Sequence, residues 1–177
     1  YNDPAGTDIT INSTGDALGG YHGIVGRNRG SGDLSILATN PDGTATTTGV
    51  QRGINALNYN GGALTIVADD VTGTTGDAIF AFNDAVGTDL SVTSYGTVTA
   101  NVSGIFARNQ GTGDFTVAAS NPDGTATTTG GAFGILARNY NGGAMNIVAD
   151  NVTGTTFTGI YARNDASGST LSVTTYG

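Results

Sequence analysis

The feature of this chain closest to acid–base chemistry is the adjacent pair Asp69-Asp70. Breaking a glycosidic bond takes two carboxyl groups held at a fixed separation around that bond. Neighbours in an extended strand point to opposite faces, so this pair is expected to be solvated or to stabilise a turn. Eighty-one residues later the equivalent pair is Asp150-Asn151, with one carboxylate lost. His22 is the sole imidazole and could serve acid–base work, but no partner accompanies it in sequence, and residue 103, the same 81 residues on, is Ser. The chain has no Cys and no Lys; its six cations are all Arg. That removes a thiolate nucleophile, a thiolate metal site and a lysine base. The pattern of clustered Asp with Gly-His-Gly and Arg-x-Lys found in polygalacturonases is missing. We therefore read the chain as non-enzymatic, with no catalytic residue, no cofactor and no assigned metal ligand. Asp8 and Asp33, and again Asp89 and Asp114, precede corresponding Leu-x-Ile-like segments. Two readings stand for them: solvated turn carboxylates, or a shared Ca²⁺, which favours such oxygen clusters. The calcium-binding nonapeptide GGxGxDxUx is absent.

Positioning comes from repetition. NPDGTATTTG occurs at 40–49 and at 121–130, and NYNGGA at 58–63 and 139–144, both with a period of 81. Residues 23–81 align on 104–162 without a gap, with 38 identities in 59 positions. Each 81-residue unit divides again. A Gly-Ile-x-Ala-Arg-Asn motif ends at Asn28, Asn58, Asn83, Asn109, Asn139 and Asn164, with Asn2 completing the column. The spacings are 26, 30, 25, 26, 30 and 25 residues. A Leu-x-Ile motif follows each Asn, and a Thr-rich segment closes each unit. Periodicity inside the motifs is two, the mark of strands, while Gly, Thr, Asn and β-branched residues disfavour helix.

Three short strands per 25–30 residues fit one turn of a parallel β-helix, whose turns bury their apolar faces only by stacking. The expected fold is all-β: a right-handed parallel β-helix, a single segment over 1–177, with about 6–7 rungs of 25–30 residues in an 81-residue three-rung superrepeat. At ~4.8 Å per rung the rod is roughly 30 Å long. Inward columns are Ile24, Ile54, Ile79, Ile105, Ile135 and Ile160; Leu34, Leu64, Leu90, Phe115, Met145 and Leu171; and the Ile or Val two residues after each of the latter. The Asn column, Asn28, Asn58, Asn83, Asn109, Asn139 and Asn164, reads as a structural ladder at a corner, because Asn suits turns and can hydrogen-bond the next rung. The Asn-Pro-Asp-Gly segments predict turns that protrude from the second and fifth rungs.

Two outward features remain. Phe106, Arg108, Leu136, Arg138, Tyr161 and Arg163 form a ridge, with Phe80 at its head, that could contact a partner or glycan. Thr46/Thr48, Thr72/Thr74, Thr97/Thr99, Thr127/Thr129 and Thr153/Thr155 would set a Thr pair on five consecutive rungs. Such flat arrays resemble the ice-binding faces of some β-solenoid antifreeze proteins, although Thr is also an ordinary outward strand residue.

The stacked GIxARNxGxGxLxI units with Thr-rich fillers resemble passenger domains of bacterial autotransporters and related β-helical surface adhesins, over essentially the whole chain. The resemblance implies a secreted, cell-surface protein of the outer-membrane secretion route that acts by display and binding, with a role in virulence. Its implied partners are a host-cell, matrix or glycan ligand, or other rods by self-association. Members carry an N-terminal secretion signal and a C-terminal barrel, so this chain is expected to be a piece of a longer passenger. Tyr1 and Gly177 would each cut through a rung. The formal charge of −8 argues against nucleic acid, and no apolar run approaches the ~20 residues of a membrane-spanning helix. The competing readings are an ice- or surface-lattice binder using the Thr array, and a carbohydrate-active β-helix enzyme.

Overall fold

The computed structural model describes residues 1–165 and 169–176; Gly177 lies outside the described residues. Every element of the described residues is a strand, and all strand pairing is parallel. The chain coils into a β-solenoid of about six turns with three sheets as its walls. The first wall holds the strands that end in Asn: His22–Asn28, Arg52–Asn58, Ile79–Asn83, Ser103–Asn109, Phe133–Asn139 and Thr158–Asn164. The second holds Ile9–Ser13, Leu34–Ala38, Leu64–Ala68, Leu90–Ser94, Phe115–Ala119, Met145–Ala149 and Leu171–Thr175. The third holds Ala17–Gly19, Thr46–Gly49, Asp70–Gly73, Thr97–Ala100, Thr127–Gly130 and Asn151–Gly154. Neighbours within each wall are three strands apart in sequence, so each turn of the coil pairs with the turn before and after it.

The register fixes one inward column per repeat position. Leu34, Leu64, Leu90, Phe115, Met145 and Leu171 pair in succession, as do Ile54, Ile79, Ile105, Ile135 and Ile160. From Leu34 to Met145 the first of these columns is at most 1% exposed. Gly26, Ala56, Ala81, Ala107 and Ala137 lie between the large residues, which keeps the narrow interior filled without overlap. Leu171 and Val173, in the edge strand of the second wall, are 46% and 44% exposed, since among the described residues no strand stacks on that side.

The corners consume the polar residues. At the first corner the seven Asn stack from Asn2 to Asn164, each side-chain amide donating to the Oδ1 of the next at 2.9–3.2 Å. The same Nδ2 groups also donate to backbone carbonyls, for example Asn28 to Gly32 and Asn58 to Gly62. Asn28, Asn58, Asn83, Asn109 and Asn139 are fully buried, so these bonds satisfy groups that water cannot reach. The protruding turns lie at the second corner. Asn40 accepts from Thr44 N at 2.9 Å, and Gly43 N donates to Asn40 O at 3.1 Å. Gly43 and Gly124 both have φ of 68°, a conformation that glycine adopts without a side-chain clash.

Candidate functional site

The carboxylates weighed for chemistry turn out to be joined to the backbone of neighbouring rungs. Asp69, 2% exposed, accepts from Asn40 N at 3.1 Å and Ala45 N at 3.3 Å, clamping both ends of the first protruding turn. Asp150 does the same for Asn121 and Ala126 in the second turn. Asp70 faces the other way and accepts from Thr97 N. Asp8 accepts from Asp33 N, and Asp33 in turn from Ala63 N. Asp89 and Asp114 repeat this with Asp114 N and Ala144 N. A parallel coil that bends at every corner leaves N–H groups without a ladder partner, and a carboxylate one rung away fills them with a charge-assisted hydrogen bond. Hydrogen bonds from Thr46 hold Asp16 below the usual carboxylate range. Among the described residues no group of three or more His, Cys, Asp or Glu side chains gathers as metal ligands do.

His22 lies at the start of the first wall. Its Nε2 is 3.3 Å from Asn55 Nδ2, and its ring meets Tyr21 at 4.5 Å between centroids. Burial, and next the Arg52 charge, push its pKa below the ordinary value. Arg52 packs 3.9 Å from the Phe80 ring centroid and 3.8 Å from Asp77. Burial raises the Asp77 carboxyl, against the opposing pull of Ser103 and Arg52. This cluster is a packed polar edge; among the described residues no carboxylate forms an ion pair with the imidazole.

The Thr array differs from the expected one. Thr46 pairs with Asp70 and Thr48 with Thr72, so Thr72/Thr74 is slipped by two residues against Thr46/Thr48. The same slip sets Thr127 beside Asn151 and Thr129 beside Thr153. One Thr column survives across five rungs, Thr48, Thr72, Thr99, Thr129 and Thr153. Its neighbour reads Thr46, Asp70, Thr97, Thr127 and Asn151, with the Asp70–Thr97 step carried by a hydrogen bond. Thr74 and Thr155 leave the sheet and donate to Val50 O and Gly131 O. The cause is the corner glycine: Gly49 pairs with Gly73, and Gly130 with Gly154. A Cβ at Gly49 would collide with Arg52 O, and one at Gly73 with Asp77 O. The close approach at the corner, rather than the Thr pairs, sets the register.

What the fold does bring together is the outer face of the first wall. Phe80, Phe106, Leu136 and Tyr161 pair in succession, and two residues further along run Phe82, Arg108, Arg138 and Arg163. Phe80 meets Phe106 edge-on at 5.0 Å. Phe133, one turn of chain earlier, stacks on Phe157 at 5.7 Å and meets Tyr161 at 6.1 Å. The guanidinium of Arg108 lies 4.9 Å from Tyr140 and 5.5 Å from Phe82; that of Arg138 lies 5.7 Å from Tyr161. Arg29 sits 5.8 Å from both Tyr1 and Tyr59. All six Arg are in this wall or directly beyond it, on a chain of net charge −8. Among the described residues only Arg52 and Arg163 have a carboxylate partner, Arg163 at 2.8 Å from Asp165, which raises its pKa. The Nε atoms of Arg27, Arg108 and Arg138 are buried without an acceptor. The rings contributed by Phe133, Tyr140 and Phe157 were not part of the expected ridge; Phe133 and Phe157 replace Arg52 and Gly76 of the first copy, which hides them from a repeat-based reading.

Cavities among the described residues lie away from this face. One, about 370 Å³, is the uncovered end of the interior, lined by Val152, Gly159, Ile160 and Thr175. Another, about 380 Å³, lies under the second protruding turn between Pro122, Asp150 and Tyr176. Neither includes a residue of the aromatic and Arg face. Comparison with protein-family models, with curated proteins and with solved structures returns no match.

Proposed function

We propose that this chain is a non-enzymatic segment of a secreted bacterial surface protein, a β-solenoid that acts by display and binding in the manner of an autotransporter passenger or adhesin. The observation that carries this reading is the outer face of the first wall, where aromatic rings and Arg side chains repeat rung after rung on a rigid coil. A scaffold whose side chains are held in register at ~4.8 Å intervals presents a preformed surface, so little ordering entropy is lost when a ligand binds. The engagement of Asp8, Asp33, Asp69, Asp89, Asp114 and Asp150 with backbone N–H groups supports binding rather than turnover. Partners on this reading are a host-cell, matrix or glycan ligand, or a neighbouring rod. The site of action is the bacterial cell surface, without a membrane-spanning part in this segment. Among the described residues no helix is long and apolar enough to cross a membrane.

The test is direct. Purified chain is passed over a panel of immobilised polysaccharides, matrix proteins and host-cell surfaces, and the retained ligand is analysed for cleavage products. Saturable retention without product supports the reading. Release of reducing sugar, or thermal hysteresis without any retention, overturns it in favour of an enzyme or an ice binder. The complete reading frame adds a second check, since the proposal expects a C-terminal barrel.

A further inference from the structure

We propose that the aromatic and Arg face binds a linear acidic polysaccharide lying along the coil axis, an assignment that rests on the display-and-binding reading above. The geometry offers two parallel strips. One is a platform of rings, Phe106, Phe133, Phe157 and Tyr161, of which Phe157 is 72% exposed and Tyr161 37%. The other is the guanidinium pair Arg108 and Arg138, on adjacent rungs and paired in register. Phe106 and Arg108 are two residues apart in one strand, about 6.6 Å, while Phe133 and Phe157 carry the rings on from Tyr161 toward the start of the wall.

Each strip matches one part of an acidic sugar. The flat C–H face of a pyranose packs on an aromatic ring, and the carboxylate at its edge then reaches a guanidinium beside that ring. Arg108 and Arg138 are held over rings by cation–π contacts, which fixes the plane of the fork before a ligand arrives. Among the described residues neither has an ion pair, and the Nε of each is buried without an acceptor. A half-buried cation that lacks a carboxylate partner in a chain with 14 Asp is unspent binding capacity, because bidentate carboxylate pairing is the strong interaction open to it.

Charge decides among polyanions. All six Arg lie in this wall or directly beyond it, while nine Asp side chains accept from N–H groups of neighbouring rungs, of which Asp77 also faces Arg52. A duplex nucleic acid, with its dense phosphates, meets net repulsion from a chain of charge −8 and finds too few cations to offset it. A sugar polymer with one carboxylate per residue has a lower charge density, and it supplies the faces that the rings require. A repeating ligand also suits a repeating surface, since successive sugars meet a guanidinium on successive rungs, with Phe106 beside Arg108 and apolar Leu136 beside Arg138.

The experiment is affinity electrophoresis of the chain through gels containing polygalacturonate, with three comparisons: its fully methyl-esterified form, inorganic polyphosphate, and a neutral galactan. Retardation is expected with polygalacturonate, lost with the ester and weak with polyphosphate. R108Q with R138Q should weaken binding at least about tenfold, and F157A by a similar factor, whereas R27Q, which removes one charge from the far end of the same wall, should leave it within about twofold. Circular dichroism confirms the coil in each variant, and the esterified arm needs no variant at all. Equal retardation by ester or polyphosphate, an equal loss in R27Q, or no retardation overturns the assignment. If another ligand of the panel is then retained saturably, display and binding stands with a different partner; if none is, both fall.

Discussion

Replacing Asn109 by Ala cuts the Asn ladder at its middle. Asn109 is fully buried and takes part in four hydrogen bonds: it accepts from Asn83 Nδ2 at 3.1 Å and Gly111 N at 3.1 Å, and donates to Asn139 Oδ1 at 3.2 Å and Gly113 O at 3.5 Å. Most of its partners keep a second bond. Asn83 Nδ2 still reaches Thr88 O and Asp89 O, Asn139 Oδ1 still accepts from Gly142 N, and Gly113 O still accepts from Gly143 N. Gly111 N is left with none, and Gly111 is itself buried. One orphaned donor costs about 1–3 kcal/mol, and the lost side-chain bonds and the small void add to it, so the expected loss is about 2–3 kcal/mol. With a urea slope near 2 kcal/mol/M, the unfolding midpoint should drop by roughly 1 M. Asn164→Ala provides the internal comparison: Asn164 sits at the edge of the ladder, partly exposed, and its loss should shift the midpoint by less than half as much. Asn109→Asp should be at least as damaging at neutral pH, because a carboxylate cannot donate to Asn139 Oδ1. An unchanged midpoint for Asn109→Ala, or equal losses at 109 and 164, would refute the view that the ladder is a continuous buried network.

The remaining expectations concern other corners and the core. Asp69→Ala removes the acceptor for Asn40 N and Ala45 N and should cost about 2–4 kcal/mol, with faster proteolytic nicking between residues 40 and 45; Asp69→Asn, which keeps an acceptor oxygen, should cost less. Phe115→Ala opens the interior at its largest fully buried side chain and should lower stability by about 3–5 kcal/mol, read as a midpoint shift in the same denaturation assay. His22 has its pKa lowered in the fold, so its neutral form is the one the coil favours. Its contribution is present above the unfolded value of about 6.5 and is lost as pH falls through the folded value. His22→Gln should therefore flatten the stability profile below that pH, and an NMR titration of the ring should give a midpoint under 6.5; a midpoint above it would contradict the packing described.

The columns were legible in the sequence because every rung solves the same problem with the same residue. An inward strand position must be apolar on each turn, so Leu34, Leu64, Leu90, Phe115 and Met145 announce themselves by type and spacing alone. The Asn column is equally plain, since a corner that repeats needs the same hydrogen-bonding side chain each time. Composition also excluded thiolate and lysine chemistry outright. Other decisions belonged to the coil. The Thr register depended on how closely the backbone approaches itself at Gly49 and Gly73, and identical Thr-rich letters allow two alignments until that contact chooses one. The corner glycine was the available signal, and the Thr pairs masked it. The Asp residues acquired partners 24 to 30 positions away, on the next rung, where no local pattern points. The aromatic platform formed where the two copies differ, through Phe133 and Phe157, and only stacking of the rungs placed those rings beside Tyr161 and the Arg column. A repeat fixes what recurs along the chain; which side chains touch across rungs depends on register, and register is set by contacts that exist only once the coil has closed.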